Sequence, residues 1–138
     1  MSHLPEQLAL SFNDFSSTIP SNYSQLTHLT YLNLASNNFI GSIPPFADTV
    51  SFLYLNDNNL TGPLPVRLPA SSTEVWLNSN ALTGSIPGDF GVDLDNLTSL
   101  LIYGNHLSGP LPSDLCRQTN LVELKSGCNT SCLSCEQK

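Results

Sequence analysis

Four cysteines crowd the C-terminal end of the chain, Cys116, Cys128, Cys132 and Cys135, and they carry its clearest potential for covalent or metal chemistry. Cys132-x-x-Cys135 has the spacing of a zinc-binding pair. The same thiols could close two disulfides, as in domains that fold in an oxidising compartment, or could stay free. Disulfides are the expectation, with Cys116 bridging back to one of the later three, Cys128 before the others; three pairings are open. The remaining candidates are weaker. His3, His28 and His106 fall at unrelated places and suggest no shared metal site. Asp89-Phe90-Gly91 matches the magnesium tripeptide of protein kinases, but no glycine-rich loop or catalytic-loop sequence accompanies it, so it reads as coincidence. Asp93 and Asp95 could hold calcium weakly and read better as a solvated loop. No Ser, His and Asp can be placed on one face for acyl transfer. The expectation is a protein without catalysis, cofactor or metal. Four glycosylation sequons begin at Asn22, Asn59, Asn96 and Asn129, and together with the clustered cysteines they point to the secretory route.

The elements that would position any site are set by one recurring residue. Asn13, Asn37, Asn58, Asn80, Asn105 and Asn129 follow one another at spacings of 24, 21, 22, 25 and 24 residues. The same frame surrounds each. Its type copy is Leu29-x-x-Leu32-x-Leu34-x-x-Asn37-x-Phe39-x-Gly41-x-Ile43-Pro44. A period in the low twenties means a stacked coil. The x-Leu-x-Leu-x core alternates with period two and predicts a short strand with both leucines inward. Successive coils then lay their strands side by side, parallel. The chain must turn sharply after each strand, and the Asn side chain, with donors and an acceptor on a short stem, can satisfy the backbone of its own turn and of the neighbouring coil. The Gly of the frame suits positive φ or close backbone approach, and the Ile/Leu-Pro pair ends pairing on that side.

Six frames can be laid down over the chain, and their departures are informative. Ser17 stands where other copies have Gly, Ser72 takes a first apolar position, and Ser126 replaces an inward leucine. Variable stretches follow each Pro, 21–28, 45–49, 66–71, 88–96 and 113–120, and are expected as short helical or 3-10 turns, with Ser113 as the N-cap of the last.

The bulk numbers narrow the function. Charged residues are 11% and apolar residues 40% of the 138. Four Lys+Arg against eleven Asp+Glu give a net charge of −7, which argues against nucleic acid and against anionic membrane surfaces. No stretch has the ~18 apolar residues of a membrane span. The N-terminus shows no signal-peptide core, and the first frame starts near Pro5 without a capping coil. This reads as part of a longer, secreted or cell-surface chain.

These frames resemble the leucine-rich repeat family, and Leu60-Thr61-Gly62-Pro63-Leu64-Pro65 and Leu82-Thr83-Gly84-Ser85-Ile86-Pro87 are similar to its plant-type subclass, seen in receptor-like kinase ectodomains and polygalacturonase-inhibiting proteins. The match runs from about Pro5 to Asn129. It implies an α/β fold: a right-handed solenoid with short parallel strands on a concave face and 3-10 or short helical turns on a convex one. One domain over residues 1–138 is expected, with residues 116–138 as a Cys-containing C-terminal cap. The resemblance implies binding on the concave sheet and no catalysis.

Strand residues that do not face inward must line that sheet's open face, in columns. The first column is Gln7, Tyr31, Phe52, Glu74, Ser99 and Glu123; the second is Ala9, Asn33, Tyr54, Trp76, Leu101 and Lys125; the third is Ser11, Ala35, Asn56, Asn78, Tyr103 and Gly127. Five of the chain's eleven aromatics thus share one surface, Tyr31, Phe52, Tyr54, Trp76 and Tyr103, rimmed by Asn33, Asn56, Asp57, Glu74 and Asn78. Contiguous exposed apolar patches mark interaction sites, and Tyr and Trp anchor interfaces. The competing reading is that the rings only pack on one another across the sheet. The expectation is a protein or peptide ligand on this face, with Leu101 part of it. A carbohydrate or an ice surface is the alternative, the latter disfavoured by the bulky, irregular columns.

Overall fold

The computed structural model describes residues 5–127. These described residues form ten short strands: β1 (Gln7–Ala9), β2 (Tyr31–Asn33), β3 (Ile40–Gly41), β4 (Phe52–Tyr54), β5 (Asn59–Gly62), β6 (Glu74–Trp76), β7 (Ala81–Ser85), β8 (Ser99–Leu101), β9 (His106–Ser108) and β10 (Glu123–Lys125). Six of them make one sheet in the order β1-β2-β4-β6-β8-β10, every pair parallel. Each frame re-enters this sheet in the same direction after one coil, so the parallel ladder follows from the repeat. Register follows the frame: Leu8, Leu32, Leu53, Val75, Leu100 and Leu124 stand opposite one another along the ladder. The inner four of these are at most 1% exposed, as are Leu34, Leu55, Leu77 and Ile102 two residues on. The stacked parallel strands expected from the periodicity, and the α/β solenoid that the resemblance implied, are the arrangement observed.

A second sheet was not anticipated. β3, β5, β7 and β9 pair in that order, also parallel. It is built from the stretch after each Asn, where the anchors Leu60 and Leu82 point inward at 0% exposure. The Gly of this stretch is left-handed in four copies, Gly41, Gly62, Gly84 and Gly109, with φ between +79° and +88°. At Gly84 nothing lies within 4 Å of where a Cβ would stand, so Gly84→Ala isolates the backbone cost. A loss of about 1–2 kcal/mol in chemical denaturation is expected; no loss would show that the turn relaxes freely.

The amide rungs form the ladder that their spacing suggested. Asn58 Nδ2 donates to the carbonyls of Leu34 in the previous coil (2.9 Å) and of Leu55 and Asn56 in its own turn, while its Oδ1 accepts the N–H of Phe39 at 3.0 Å. Asn37, Asn80 and Asn105 repeat this pattern with Leu10, Leu55 and Leu77 as the previous-coil carbonyls and the N–H groups of Phe15, Leu60 and Leu82 as donors. Asn13 bonds only its own turn; Asn129 lies outside the described residues. The residue before each rung is left-handed: Phe12, Ser36, Asp57, Ser79 and Gly104 all have φ between +55° and +66°. This conformation closes the turn, and it recurs under five copies of the frame with four different side-chain types.

The back of the coil varies with loop length. Residues 21–25 and 88–91 form 3-10 turns, and Ser113–Arg117 forms the one described α-helix, α1. Pro112, not Ser113, is the N-cap of α1, and no side chain caps it; the Leu111-Pro112 pair already holds the chain extended, so helical dihedrals begin at Ser113. Phe90 and Leu115 from these turns are 0% exposed and fill the core. Gly91 makes this possible: a Cβ there would stand 2.9 Å from the Leu115 backbone. The Asp89-Phe90-Gly91 tripeptide therefore serves packing. The shorter loops 45–49 and 66–71 hold no helical turn. A groove of about 560 Å³ opens there, between Pro44-Pro45 and Val66–Ala70, and reaches down to Leu53. Ser72, standing for an apolar residue, is 1% exposed and donates its hydroxyl to the Pro69 carbonyl at 2.7 Å, so the departure leaves no stranded polar group.

Candidate functional site

The open face of the six-stranded sheet carries the aromatic columns. Because β-strand side chains alternate, burying Leu53 and Val75 turns Phe52, Tyr54, Glu74 and Trp76 to the other side. Register sets Tyr31, Phe52 and Glu74 in one row across successive strands, and Asn33, Tyr54, Trp76 and Leu101 in another. Trp76 is half-buried and stands outside the hydrophobic core cluster, as do Tyr31, Phe52 and Tyr54.

The rings touch in sequence. The Tyr54 ring centre lies 4.6 Å from that of Trp76 and 5.7 Å from that of Tyr31, edge-on to the latter; Tyr31 is 6.2 Å from Phe52. Cross-strand packing and surface presentation thus coexist. Each ring is steadied by its neighbour and each keeps part of its surface open. Tyr103 stands apart from this stack and is 37% exposed. Leu101 is not open as expected: at 8% exposure it is buried on the open face, between Trp76 and Lys125 in register. The large indole beside it covers what a smaller neighbour would leave free.

Polar groups fix the rings further. Tyr54 donates its hydroxyl to Glu74 Oε2 at 2.7 Å, and Trp76 donates Nε1–H to Ser99 Oγ at 3.1 Å. Ser99 in turn donates to Glu123 Oε2 at 3.1 Å, and Lys125 Nζ sits 2.8 Å from Glu123 Oε1. Asn33 Nδ2 reaches the Tyr31 hydroxyl at 3.2 Å. Ser99, Glu123 and Lys125 were placed in the columns by the periodicity, but their chain of bonds to Trp76 was not foreseen. Its signal was there, as three polar residues in adjacent register positions. Lys125 and the Ser99 hydroxyl hold the Glu123 carboxyl below its ordinary value, and Glu123 raises Lys125. Asn56 Nδ2 donates to Asp57 Oδ2 at 2.6 Å. Among the described residues, Asn56 Oδ1 and Asn78 Oδ1 are buried and have no partner.

Burial, and then the bond to Glu74, push the Tyr54 phenol well above its ordinary value. A raised folded-state value favours the protonated phenol in the native protein. The stabilisation is therefore complete below about pH 10, the unfolded phenol's value, and is lost as pH rises above it. In an alkaline absorbance titration of the four tyrosines, Tyr54 should ionise last. Tyr54→Phe should remove that late phase and the matching loss of stability above pH 10; four phenols titrating together would contradict the buried bond.

The other expected sites lie elsewhere. Asn22, Asn59 and Asn96 are exposed on the surface; Asn129 is outside the described residues. Cys116 is disulfide-bonded; Cys128, Cys132 and Cys135 are outside the described residues. His28 and His106 are both exposed, and His3 is not described. Asp93 pairs at 3.6 Å with Arg67, both side chains largely exposed. Among the described residues no three metal-ligating side chains converge, and no helix is long and apolar enough to cross a membrane.

Comparison with known proteins gives a consistent picture. The Leucine Rich Repeat family model matches residues 28–48 and 96–118. Receptor-like protein 41 of Arabidopsis thaliana is 36% identical over 88 residues, which is 58% of this chain and 10% of the relative. Among solved structures, the plant peptide hormone receptor RGFR1 in complex with RGF2 superposes with a TM-score of 0.79 at 36% identity, over 84% of this chain and 19% of that one. The ectodomain of the Arabidopsis thaliana receptor kinase SOBIR1 superposes with a TM-score of 0.80 at 25% identity, over 91% of this chain and 70% of that one. The chain spans about a tenth of the length of the curated relatives it matches.

Proposed function

We propose, from the premise that this chain is a leucine-rich repeat protein of the plant type, that it is a non-enzymatic recognition module binding a protein or peptide on the open aromatic face of its sheet, outside the cell or at its surface. The observation that carries this reading is the stack Tyr31–Tyr54–Trp76, half-buried and held from both sides by neighbours. Rings already fixed lose little freedom on binding, so more of their contact area becomes affinity. A peptide ligand is supported by likeness to RGFR1, which is a peptide hormone receptor and was solved with RGF2 bound. An extracellular place is supported by the bonded Cys116 and by three exposed sequons.

The test is binding to an immobilised array of synthetic ten-residue peptides, with cell-wall oligosaccharides probed beside it. Trp76→Ala should weaken the peptide interactions at least tenfold, equivalent to about 1.4 kcal/mol. Arg67→Ala, on the back of the coil, should leave them unchanged. Equal binding by the two variants, or binding of oligosaccharides alone, removes the reading.

A further inference from the structure

We infer that the ligand's footprint runs on to the first coil, where Phe12 is a further anchor that receives an apolar side chain of the bound peptide. The inference rests on the recognition reading above and extends its site.

Phe12 has a backbone conformation that suits it badly. The residue before each rung is left-handed to close the turn, and φ at Phe12 is +58°. The other described coils fill this place with Ser36, Asp57, Ser79 and Gly104. Gly and short polar residues tolerate the left-handed region, whereas a bulky L residue is strained there. Among the described residues nothing offsets that strain. Phe12 is 84% exposed and stands outside the hydrophobic core cluster. Its ring stacks on no other described ring, whereas Phe15, three residues on, lies against Phe39 with ring centres 6.1 Å apart. A side chain that neither fits its backbone nor packs on its own chain points to a contact made by a ligand.

Its position ties it to the open face. The place before each rung borders the third column: Asn56 Nδ2 donates to Asp57 Oδ2 at 2.6 Å, and Asn78 Nδ2 to Ser79 Oγ at 3.4 Å. The Phe12 N–H bonds the Ala35 carbonyl at 3.0 Å, which holds it against the next coil at the same level. With Phe12 included, each of five successive coils carries an aromatic residue outside the core cluster on this side: Phe12, Tyr31, Tyr54, Trp76 and Tyr103. Register puts Trp76 in the row of Ala9, three residues before Phe12 and three strands away. At ~4.8 Å between strands and ~3.3 Å per residue along them, Phe12 and Trp76 lie about 17 Å apart. A ten-residue peptide reaches about 33 Å when extended, so one ligand can touch both. A phenyl ring has no polar handle, so the group it receives is an aliphatic or aromatic side chain.

The test uses the array peptides that bind wild-type protein and lose binding to Trp76→Ala. Phe12→Asn puts a residue at home in the left-handed region at this place, and should raise the midpoint of thermal unfolding by about 2 °C. The same variant should weaken these peptides at least fivefold, and Phe12→Tyr should bind them as the wild type does. An alanine scan of each peptide then locates the partner of the ring. Replacing one apolar residue should weaken binding to wild type at least fivefold and leave binding to Phe12→Asn unchanged. Trp76-dependent binders indifferent to Phe12→Asn, or a scan in which no residue's effect disappears with that variant, overturn the inference and leave the recognition reading intact. A lowered unfolding midpoint for Phe12→Asn would assign the ring to packing and overturn it as well. An array with no Trp76-dependent binder removes both.

Discussion

Asn80→Leu should cost about 3 kcal/mol or more of folding stability, whereas Asn13→Leu should cost about 0.5 kcal/mol or less. Asn80 is buried at 9% exposure. Its Nδ2 serves the carbonyls of Leu55, Leu77 and Asn78, and its Oδ1 takes the N–H of Leu60, itself wholly buried. Leucine fills the volume and strands several backbone groups, each worth about 1–3 kcal/mol when left unpaired. Asn13 is exposed and bonds only the carbonyls of its own turn, Leu10 and Ser11, which water can reach; surface substitutions usually stay within about 0.5 kcal/mol. Chemical denaturation of both variants checks the contrast. Equal losses would mean that the rungs act locally and do not tie one coil to the next.

Phe90→Ala should destabilise by about 3–5 kcal/mol. The ring is 0% exposed and comes from the 3-10 turn at 88–91, which packs on α1 through Gly91. Removing it should leave on the back of this coil a void like the natural groove beside Pro44 and Val66, where the loops are too short to supply a turn. Phe90→Leu should recover most of the loss. Thermal unfolding of both variants decides the matter: a loss under 1 kcal/mol for alanine would show that the loop collapses to fill the space.

How much of this was visible in the residues alone follows from what the repeat holds constant. The rungs, the inward leucines and the three outward columns were legible because the same side-chain type returns at each copy. Positive φ at Phe12, Ser36, Asp57 and Ser79 was not, because the conformation is shared while the residue types are not. The second sheet was not legible because its strands are two to five residues long and hold Gly, Asn and Ala, which are depleted in strands. Leu101 was assigned correctly to its column, yet its burial depends on the size of Trp76 next to it, a property of the pair. The unpartnered oxygens of Asn56 and Asn78 could not be read from spacing, since side-chain orientation decides them. The groove on the back did have a signal, in the two shortest spacings between rungs.

The chain has a single tryptophan, Trp76, at the centre of the face assigned to the ligand. Its emission therefore reports on that face alone. Titrating a peptide selected from the array, while calorimetry measures the same association, tests the assignment most directly. The account predicts that the indole emission shifts or quenches and saturates at the calorimetric affinity. Heat of binding with an unchanged Trp76 emission would place the ligand elsewhere on the coil and contradict it.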